Sequence, residues 1–224
     1  MSDLNVAVPE EKVATTKAVV MNQVAGPEVR AESPLYHADL DSLAKQGPRK
    51  GGIRLRENKL LGHLTLRCNQ NNADQLAAVE RVLGMALPLQ PLTSVEKGEA
   101  SIRWMSPDEW LIIVPGLKAF DVETRFRDEM DGHYSLVNGS GGSTVLELSG
   151  DDVVEMLKKC TPIDLHPSEF PVGKVVSTVF AKSTAVIRRT GEKQFELVIR
   201  RSFSDYLWLW IQDASREFGL VVDA

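Results

Sequence analysis

The clearest alternation of apolar and polar side chains lies between residues 144 and 179. Residues 144–148 place β-branched or apolar side chains at alternate positions, which predicts a strand, and a Ser-Gly pair ends the alternation. From residue 153 to 160 apolar side chains recur at helical spacing, so a helix follows the strand directly. Two prolines exclude a continued helix, and the chain becomes extended again near Lys174. The pattern predicts a strand, a helix, an ordered loop and a second strand.

A similar succession of elements is predicted on both sides of a glycine-rich segment, residues 138–142. Before it, the apolar periods predict a strand, a helix, a strand pair, a helix and a strand, at 60–67, 73–83, 100–105 with 110–114, 119–130 and 134–137. After the central helix they predict strands at 175–181, 185–189 and 195–200 and a last helix at 202–217. Asparagines at 69–72 offer N-caps for the first helix, and Gly84 ends it.

This recurrence predicts an α+β fold of two similar, intertwined lobes, each built of strand, helix, paired strands and helix, because the helices of each half need a sheet to cover. Residues 33–138 form the first lobe and residues 139–224 the second, and the two pack as one domain. Residues 35–52 are polar and punctuated by glycine and proline, which is typical of an irregular connector. Residues 1–32 are aperiodic but partly apolar, and we expect this N-terminal arm to become ordered against another subunit.

The composition narrows the class of protein. The chain has 224 residues, 43% of them hydrophobic, which is enough for a packed globular core. A formal net charge of -5 gives no general attraction to nucleic acid or to anionic lipid, so neither nucleic acid nor a membrane is expected as a partner. The N-terminal residues lack a continuous apolar segment, and no stretch approaches the ~20 apolar residues that cross a bilayer. We expect a cytoplasmic protein.

Few residues have the spacing that a metal or cofactor site requires. Cys68 and Cys160 form no CxxC motif and are interpreted as buried structural thiols. The four histidines are scattered without metal-ligand spacing. The glycine-rich segment at 139–142 precedes a strand, whereas a phosphate-binding loop opens a helix, so it is interpreted as a flexible linker.

Other polar groups have a functional and a structural interpretation, and the structural one is favoured. For His166 it is a hydrogen bond that fixes a loop, in place of acid–base work. Asp151 and Asp152 are adjacent and cannot face each other, so helix capping explains them better than a carboxylate pair. An arginine cluster would present a cationic patch to an acidic subunit or a polyglutamyl tail, or would protect a solvated sheet edge; its members are Arg188, Arg189, Arg200 and Arg201.

The last predicted helix carries more apolar side chains than a single face requires. One face, sufficient for the core, holds Phe203, Leu207, Trp210, Ile211, Ala214 and Phe218. Tyr206 and Trp208 then fall on opposite flanks of that face, and Leu209 falls nearly behind it. We predict that these last three side chains contact another subunit. The alternative is that the same chain buries them, through the arm or the connector around Gln46.

Four segments stand in a specific order along the chain: WMSPDEWL at 104–111, CTPIDLHP at 160–167, FPVG at 170–173 and RSFSDYLW at 201–208. Together they resemble the gamma subunit family of heterotetrameric sarcosine oxidases, and the likeness extends from about Ser33 onward. That family is related in fold to the folate-binding aminomethyltransferases, so the resemblance implies the same two-lobed architecture.

The resemblance also implies a noncatalytic structural subunit, with no catalytic residue, cofactor or metal in this chain. The whole complex is expected to demethylate sarcosine oxidatively to glycine, giving hydrogen peroxide and either formaldehyde or methylenetetrahydrofolate. By the same resemblance, FAD, FMN, NAD, zinc and tetrahydrofolate belong to the other subunits, named alpha, beta and delta.

Two alternatives remain at the level of sequence: a folate-dependent aminomethyltransferase, and a stand-alone folate-binding or chaperone-like module. Folate-binding relatives use an acidic residue for the pterin and a GARD-like segment. The chain has no GARD segment, and Asp164 is the candidate acidic residue. Its place beside prolines favours a turn-stabilising role.

Overall fold

The computed structural model describes residues 29–223, which form two β-sheets packed face to face with α-helices on their outer sides. In chain order the strands are β1 (Ile53–Asn58), β2 (Leu61–Arg67), β3 (Ser94–Lys97), β4 (Ala100–Ser106), β5 (Glu109–Pro115), β6 (Ser135–Asn138), β7 (Ser143–Ser149), β8 (Val175–Phe180), β9 (Ser183–Gly191), β10 (Gln194–Arg200) and β11 (Leu220–Asp223). The α-helices are α1 (Leu40–Gln46), α2 (Ala73–Leu83), α3 (Ala119–Glu129), α4 (Val153–Lys158) and α5 (Ser204–Ala214). Single turns of 3-10 helix cover Tyr36–Ala38, Gly116–Lys118 and Arg201–Phe203.

The large sheet has the strand order β11-β1-β7-β10-β9-β8, and the small sheet has the order β3-β4-β5-β2-β6. Neighbouring strands run antiparallel except β1 and β11, which run parallel. Backbone hydrogen bonds join the two sheets at one edge. The amide of Val175 donates to the carbonyl of Leu92 at 2.8 Å, and the amide of Ser94 donates to the carbonyl of Gly173 at 3.0 Å.

Each sheet buries its outer face under helices. The large sheet packs on α1, α4 and α5, and the small sheet packs on α2 and α3. A smaller apolar cluster around Ile113, Val145 and Val198 lies between the sheets. None of the helices within 29–223 combines the length and the apolar character needed to cross a bilayer.

Local signals in the sequence predict α2 correctly. The side chain of Asn72 accepts hydrogen bonds from the amides of Asp74 and Gln75, at 3.1 and 3.2 Å, and so caps the first turn. Gly84 has φ of 70° and donates its amide to the carbonyl of Glu80 at 2.7 Å. A residue with a side chain would be strained there, which is why glycine ends the helix.

The connector predicted at 35–52 is wrong in part, because it contains α1. The predicted boundary between the lobes also differs from the boundary between the sheets. β1 belongs to the predicted first lobe, 33–138, yet it pairs with β7 and β11 in the sheet of the second lobe. β3 and β11, four residues each, are likewise elements that the sequence pattern did not reveal.

A buried carboxylate explains why β1 is hard to recognise in the sequence. Its inward positions are Ile53, Leu55 and Glu57, so the apolar alternation ends after two residues. Glu57 accepts hydrogen bonds from the hydroxyls of Ser33 and Thr144, at 2.8 and 2.9 Å. Burial of a carboxylate is costly unless such partners exist, and here the partners come from distant parts of the chain.

The glycine-rich segment between β6 and β7 is hydrogen-bonded to β2 and to the turn after β10, so the prediction of a flexible linker is wrong. The amide of Gly139 donates to the carbonyl of His63 at 2.8 Å, and the amide of His63 donates to the hydroxyl of Ser140 at 3.0 Å. On the other side, the amide of Arg201 donates to the carbonyl of Gly142 at 2.9 Å. Of the predicted arm, residues 1–28 lie outside the described residues, so its ordering against another subunit stays a prediction.

Candidate functional site

The loop between α4 and β8, residues 159–174, contains two of the four sequence motifs, and we call it the motif loop. The carboxylate of Asp164 accepts a hydrogen bond from the amide of His166 at 2.8 Å. The His166 ring bonds the hydroxyl of Ser168 at 2.8 Å through Nδ1. The turn-stabilising role predicted for Asp164 and the loop-fixing role predicted for His166 are therefore confirmed. Both side chains are exposed.

Cys160 is the second residue of the motif loop and is buried. Its thiol donates to the carbonyl of Met156 at 3.3 Å. Burial raises the pKa of the Cys160 thiol to about 11, so the neutral form predominates near neutral pH. Cys68 is also a buried free thiol, and burial raises its pKa to about 11 as well. Both cysteines are buried, as predicted for structural thiols.

Arg189 holds the motif loop from beneath. Its guanidinium donates to the carbonyls of Phe170 at 2.9 Å, Leu165 at 3.4 Å and Gly191 at 3.2 Å, and also to that of Glu192. The side chain is buried, so the solvated sheet edge predicted for this residue is wrong. A buried cation requires such acceptors because it has lost its water.

Arg188, the neighbour of Arg189, points to the opposite face of β9 and lies between the sheets. There it belongs to a row of charges that crosses four strands in register, in the order Arg56, Glu147, Glu196 and Arg188. Arg56 bonds Glu147 at 2.7 Å, and Arg188 lies 3.5 Å from Glu196. Because the two glutamates face each other directly, each needs its own cation.

The small sheet contributes Arg103 to this inter-sheet charge cluster. Arg103 is 1% exposed and bonds Glu196 at 2.5 Å, while Glu96 of β3 bonds Arg188 from the same sheet. Burial lowers the pKa of the Arg103 guanidinium to about 10, against the opposing effect of Glu196. Within residues 29–223, Nε and Nη1 of Arg103 have no hydrogen-bond partner. The ion pairs of this cluster connect the two sheets, although removing the charges from water costs free energy.

His63 lies on β2 beside this cluster. Nδ1 bonds the carbonyl of Leu61 at 3.1 Å, so Nδ1 carries the proton of the neutral ring. Burial lowers the pKa of His63 to about 4, and the charge of Arg103 acts in the same direction. A cleft of about 280 Å³ opens between the sheets at the charge cluster, and its lining includes Glu99 and Ser101. The sequence singled out Arg188 but not its partners; a second signal was the arginine between the apolar residues of β4.

The structure separates the three side chains predicted to contact another subunit. Trp208 is 5% exposed and belongs to the core beneath the large sheet, so its assignment to an interface is wrong. Leu209 is 57% exposed. Tyr206 is half-buried, and its hydroxyl accepts a hydrogen bond from the amide of Lys182 at 3.2 Å. Trp210, expected in the core, is 36% exposed and packs on Tyr206 with ring centroids 6.0 Å apart.

The remaining candidates also occupy structural positions. Asp151 pairs with Lys193 at 2.8 Å. Asp152 lies at the N-cap position of α4, but no side chain among residues 29–223 caps this helix, so the capping predicted for the two aspartates is wrong. His37 pairs with Asp205 at 2.9 Å on the surface. Arg201 donates to the carbonyl of Gly141 at 2.6 Å.

The sequence of this chain matches a known protein family. The model of the sarcosine oxidase gamma subunit family matches residues 67–217, from the end of β2 to beyond α5. The chain belongs to the sarcosine oxidase gamma subunit family. This gamma-family chain is 31% identical over 190 residues to the sarcosine oxidase subunit gamma of Corynebacterium sp. (strain P-1), covering 84% of this chain and 91% of that protein. It is 32% identical over 192 residues to the subunit gamma of an Arthrobacter species, with the same coverage.

Solved structures confirm the fold predicted for the gamma-family chain. A chain of the heterotetrameric sarcosine oxidase from Corynebacterium sp. U-96, in complex with pyrrole 2-carboxylate, superposes with a TM-score of 0.74 at 26% identity, over 84% of this chain and 96% of that one. The aminomethyltransferase T of the glycine cleavage system from Bartonella henselae gives a TM-score of 0.60 at 14% identity, over 85% of this chain and 58% of that one. The second match shows a shared fold.

Proposed function

We propose that this chain is a noncatalytic structural subunit of a heterotetrameric sarcosine oxidase, assembled with alpha, beta and delta subunits. The observation that most directly supports this role is how the motif loop uses its polar groups. Asp164 and His166 bond neighbouring groups of the loop, and Arg189 beneath it bonds carbonyls of the loop and of the turn after β9. Groups engaged in this way hold a shape instead of binding a substrate.

In this proposal the chemistry belongs to the other subunits. The complex demethylates sarcosine oxidatively to glycine and releases hydrogen peroxide with formaldehyde or methylenetetrahydrofolate. FAD, FMN, NAD, zinc and tetrahydrofolate are held outside this chain. The complex acts in the cytoplasm, with no nucleic acid or membrane as partner.

The fold shared with an aminomethyltransferase raises the question of whether this chain binds folate itself. Asp164 is the residue that would meet a pterin, but its carboxylate already accepts the amide of His166. The GARD-like segment is missing from the sequence. These residues do not fit tetrahydrofolate, so we derive no catalytic step through it.

Absorbance and activity test the proposed role. We expect the isolated chain to be colourless after gentle purification and to form no hydrogen peroxide from sarcosine, because its polar groups serve the fold. The complete complex, purified in parallel, is the control and should carry visible flavin absorbance together with the activity. Flavin absorbance that stays with the isolated chain on gel filtration would refute the noncatalytic role.

A titration with tetrahydrofolate separates the remaining alternative. We expect no saturable binding to the isolated chain. Saturable binding that Asp164→Ala abolishes and Asp151→Ala retains would support a folate-binding module. Asp151 is a suitable control because it is an exposed aspartate paired with Lys193, at the other end of α4 from the motif loop.

A further inference from the structure

β8 is the last strand of the large sheet, and β9 is its paired neighbour. Its sequence, VVSTVF, contains neither a charged residue nor a proline. Exposed edges of natural sheets are commonly protected by charges, prolines or bulges, because an open edge offers backbone groups to any other strand. Such an edge is therefore expected to have an occupant.

The hydrogen bonds around β8 show which of its backbone groups face outward. The amide of Arg189 donates to the carbonyl of Lys174 at 3.1 Å, so the even-numbered residues of β8 bond β9. In an antiparallel ladder the bonding direction alternates along the strand. The N–H and C=O groups of Val175, Ser177 and Val179 consequently point away from the sheet.

Both ends of this outer edge are already bonded within the chain. The outward amide of Val175 donates to the carbonyl of Leu92 at 2.8 Å, and the amide of Ala181 donates to the carbonyl of Cys160 at 2.7 Å. These two bonds support the assigned direction independently. Between them, the outward amides of Ser177 and Val179 have no hydrogen-bond acceptor among residues 29–223.

Apolar side chains are exposed near both ends of the open segment. Val179 is 50% exposed, and Val172 and Leu92, near the other end of β8, are exposed as well. Leu92 has φ of 61°, a strained conformation for a leucine, and such strain is concentrated at functional positions. At the β8–β9 turn the edge continues into the aromatic flank of α5, where Trp210 is partly exposed. Exposed tryptophans are frequent anchors of protein interfaces.

We infer that an extended segment of another subunit pairs with the outer edge of β8, through the amides of Ser177 and Val179. The inference rests on the proposed assembly with other subunits and is independent of the noncatalytic role. β8 is about 20 Å long, so the added strand is short. Its alternate residues are apolar, to cover Val179, and it has no proline at the positions that face β8.

Hydrogen exchange at single-residue resolution tests the pairing directly. In the isolated full chain, the amides of Ser177 and Val179 should exchange fast, while those of Val176 and Thr178 are slow because they bond β9. In the complete complex, all of these amides should be slow, with exchange at Ser177 and Val179 reduced at least ~100-fold. Side-chain contact alone would not produce this alternation.

A proline substitution tests the same bond by mutation. Ser177→Pro removes only an outward amide, so the isolated chain should melt within about 4 °C of wild type, while its affinity for the other subunits falls at least ~10-fold. Val179→Pro provides a second variant of the same design. Ser177→Thr keeps the amide and should assemble normally. Thr178→Pro breaks the bond to β9 and should unfold the isolated chain.

Two results would overturn the inference. The first is unchanged exchange at Ser177 and Val179 in a complex that otherwise forms, together with normal assembly of both outward-facing proline variants. The second is slow exchange at these amides in the isolated chain. In that case a dilution series identifies the occupant: protection lost on dilution means a second copy, and protection that persists means another segment of the same chain. Loss of the noncatalytic role would instead appear as flavin absorbance in the isolated chain.

Discussion

Because His63 is buried, protonation of its imidazole couples the stability of the whole chain to pH. The pKa of His63 is about 4 in the folded state, whereas an unfolded histidine titrates near 6.5. Between these values the unfolded state binds more protons than the folded state. Stability therefore decreases as the pH falls from about 6.5 towards 4, because unfolding is coupled to protonation.

We expect this coupling to cost about 2 kcal/mol of unfolding free energy between pH 7 and pH 5. His63→Phe removes the titrating group, so the variant should lose correspondingly less stability over the same range. Denaturant unfolding of both proteins at each pH measures the difference, and groups elsewhere in the chain cancel in the comparison. An equal pH dependence of the unfolding free energy in wild type and variant would show that the pKa of His63 is the same in the folded and unfolded states.

At the scale of one element, α5 shows how a polar residue can mark a buried face. The buried face contains Ser204 and Trp208, and the hydroxyl of Ser204 donates to the carbonyl of Pro34 at 2.9 Å. This bond draws the segment before α1 over the helix. Trp208 is buried in the same apolar cluster as Leu35 of that segment, whereas the apolar pattern alone had placed Trp210 inward.

Neighbouring substitutions in α5 should therefore differ strongly in their effect on stability. Trp208→Ala is expected to lower the unfolding free energy of the isolated chain by about 3–5 kcal/mol, because it opens a cavity in the core. Leu209→Asp should change this free energy by no more than about 0.5 kcal/mol, since the side chain is exposed. Chemical denaturation measures both.

The interface predicted for Leu209 and Tyr206 is tested with the same variants. Leu209→Asp should weaken assembly with the other subunits at least ~10-fold if this side of α5 is covered there, because a carboxylate is costly in an apolar contact. Normal assembly of a stably folded Leu209→Asp chain would place the contact on another surface.

At the scale of the whole molecule, charged side chains hold the two sheets together in addition to apolar contacts. Arg103 reaches Glu196 across the space between the sheets, and neither residue has a charged partner within its own strand. The pair is costly to bury, but loss of one member leaves the other uncompensated. We therefore expect the effects of substituting the two residues to be far from additive.

A double-mutant cycle measures this coupling. Glu196→Leu alone should cost about 3–5 kcal/mol, because it leaves the buried Arg103 guanidinium without its carboxylate. Combined with Arg103→Met, it should cost less than the sum of the two single changes by at least ~1 kcal/mol. The exposed pair Arg81–Glu129 is the control and should couple by no more than about 0.5 kcal/mol. Equal coupling in the two cycles would mean that water reaches the inter-sheet cluster.

The sequence by itself determined the elements whose causes lie within a few residues, together with the family. The cap at Asn72, the stop at Gly84, the turn between β4 and β5 and the motif loop all depend on neighbouring residues. The order of the four motifs indicated the gamma subunit family, and the repeated succession of strands and helices indicated the α+β fold.

Tertiary structure alone decided which of the polar and aromatic side chains are buried. Arg103 finds Glu196 at a distance of 93 positions along the chain, and Glu57 finds Thr144 at 87. No local period signals such partners, because a charged residue at an inward position looks the same as one in solvent until its partner is known. β1 and the orientation of α5 were misjudged for this reason: their buried faces are completed by chain segments that lie far away in sequence.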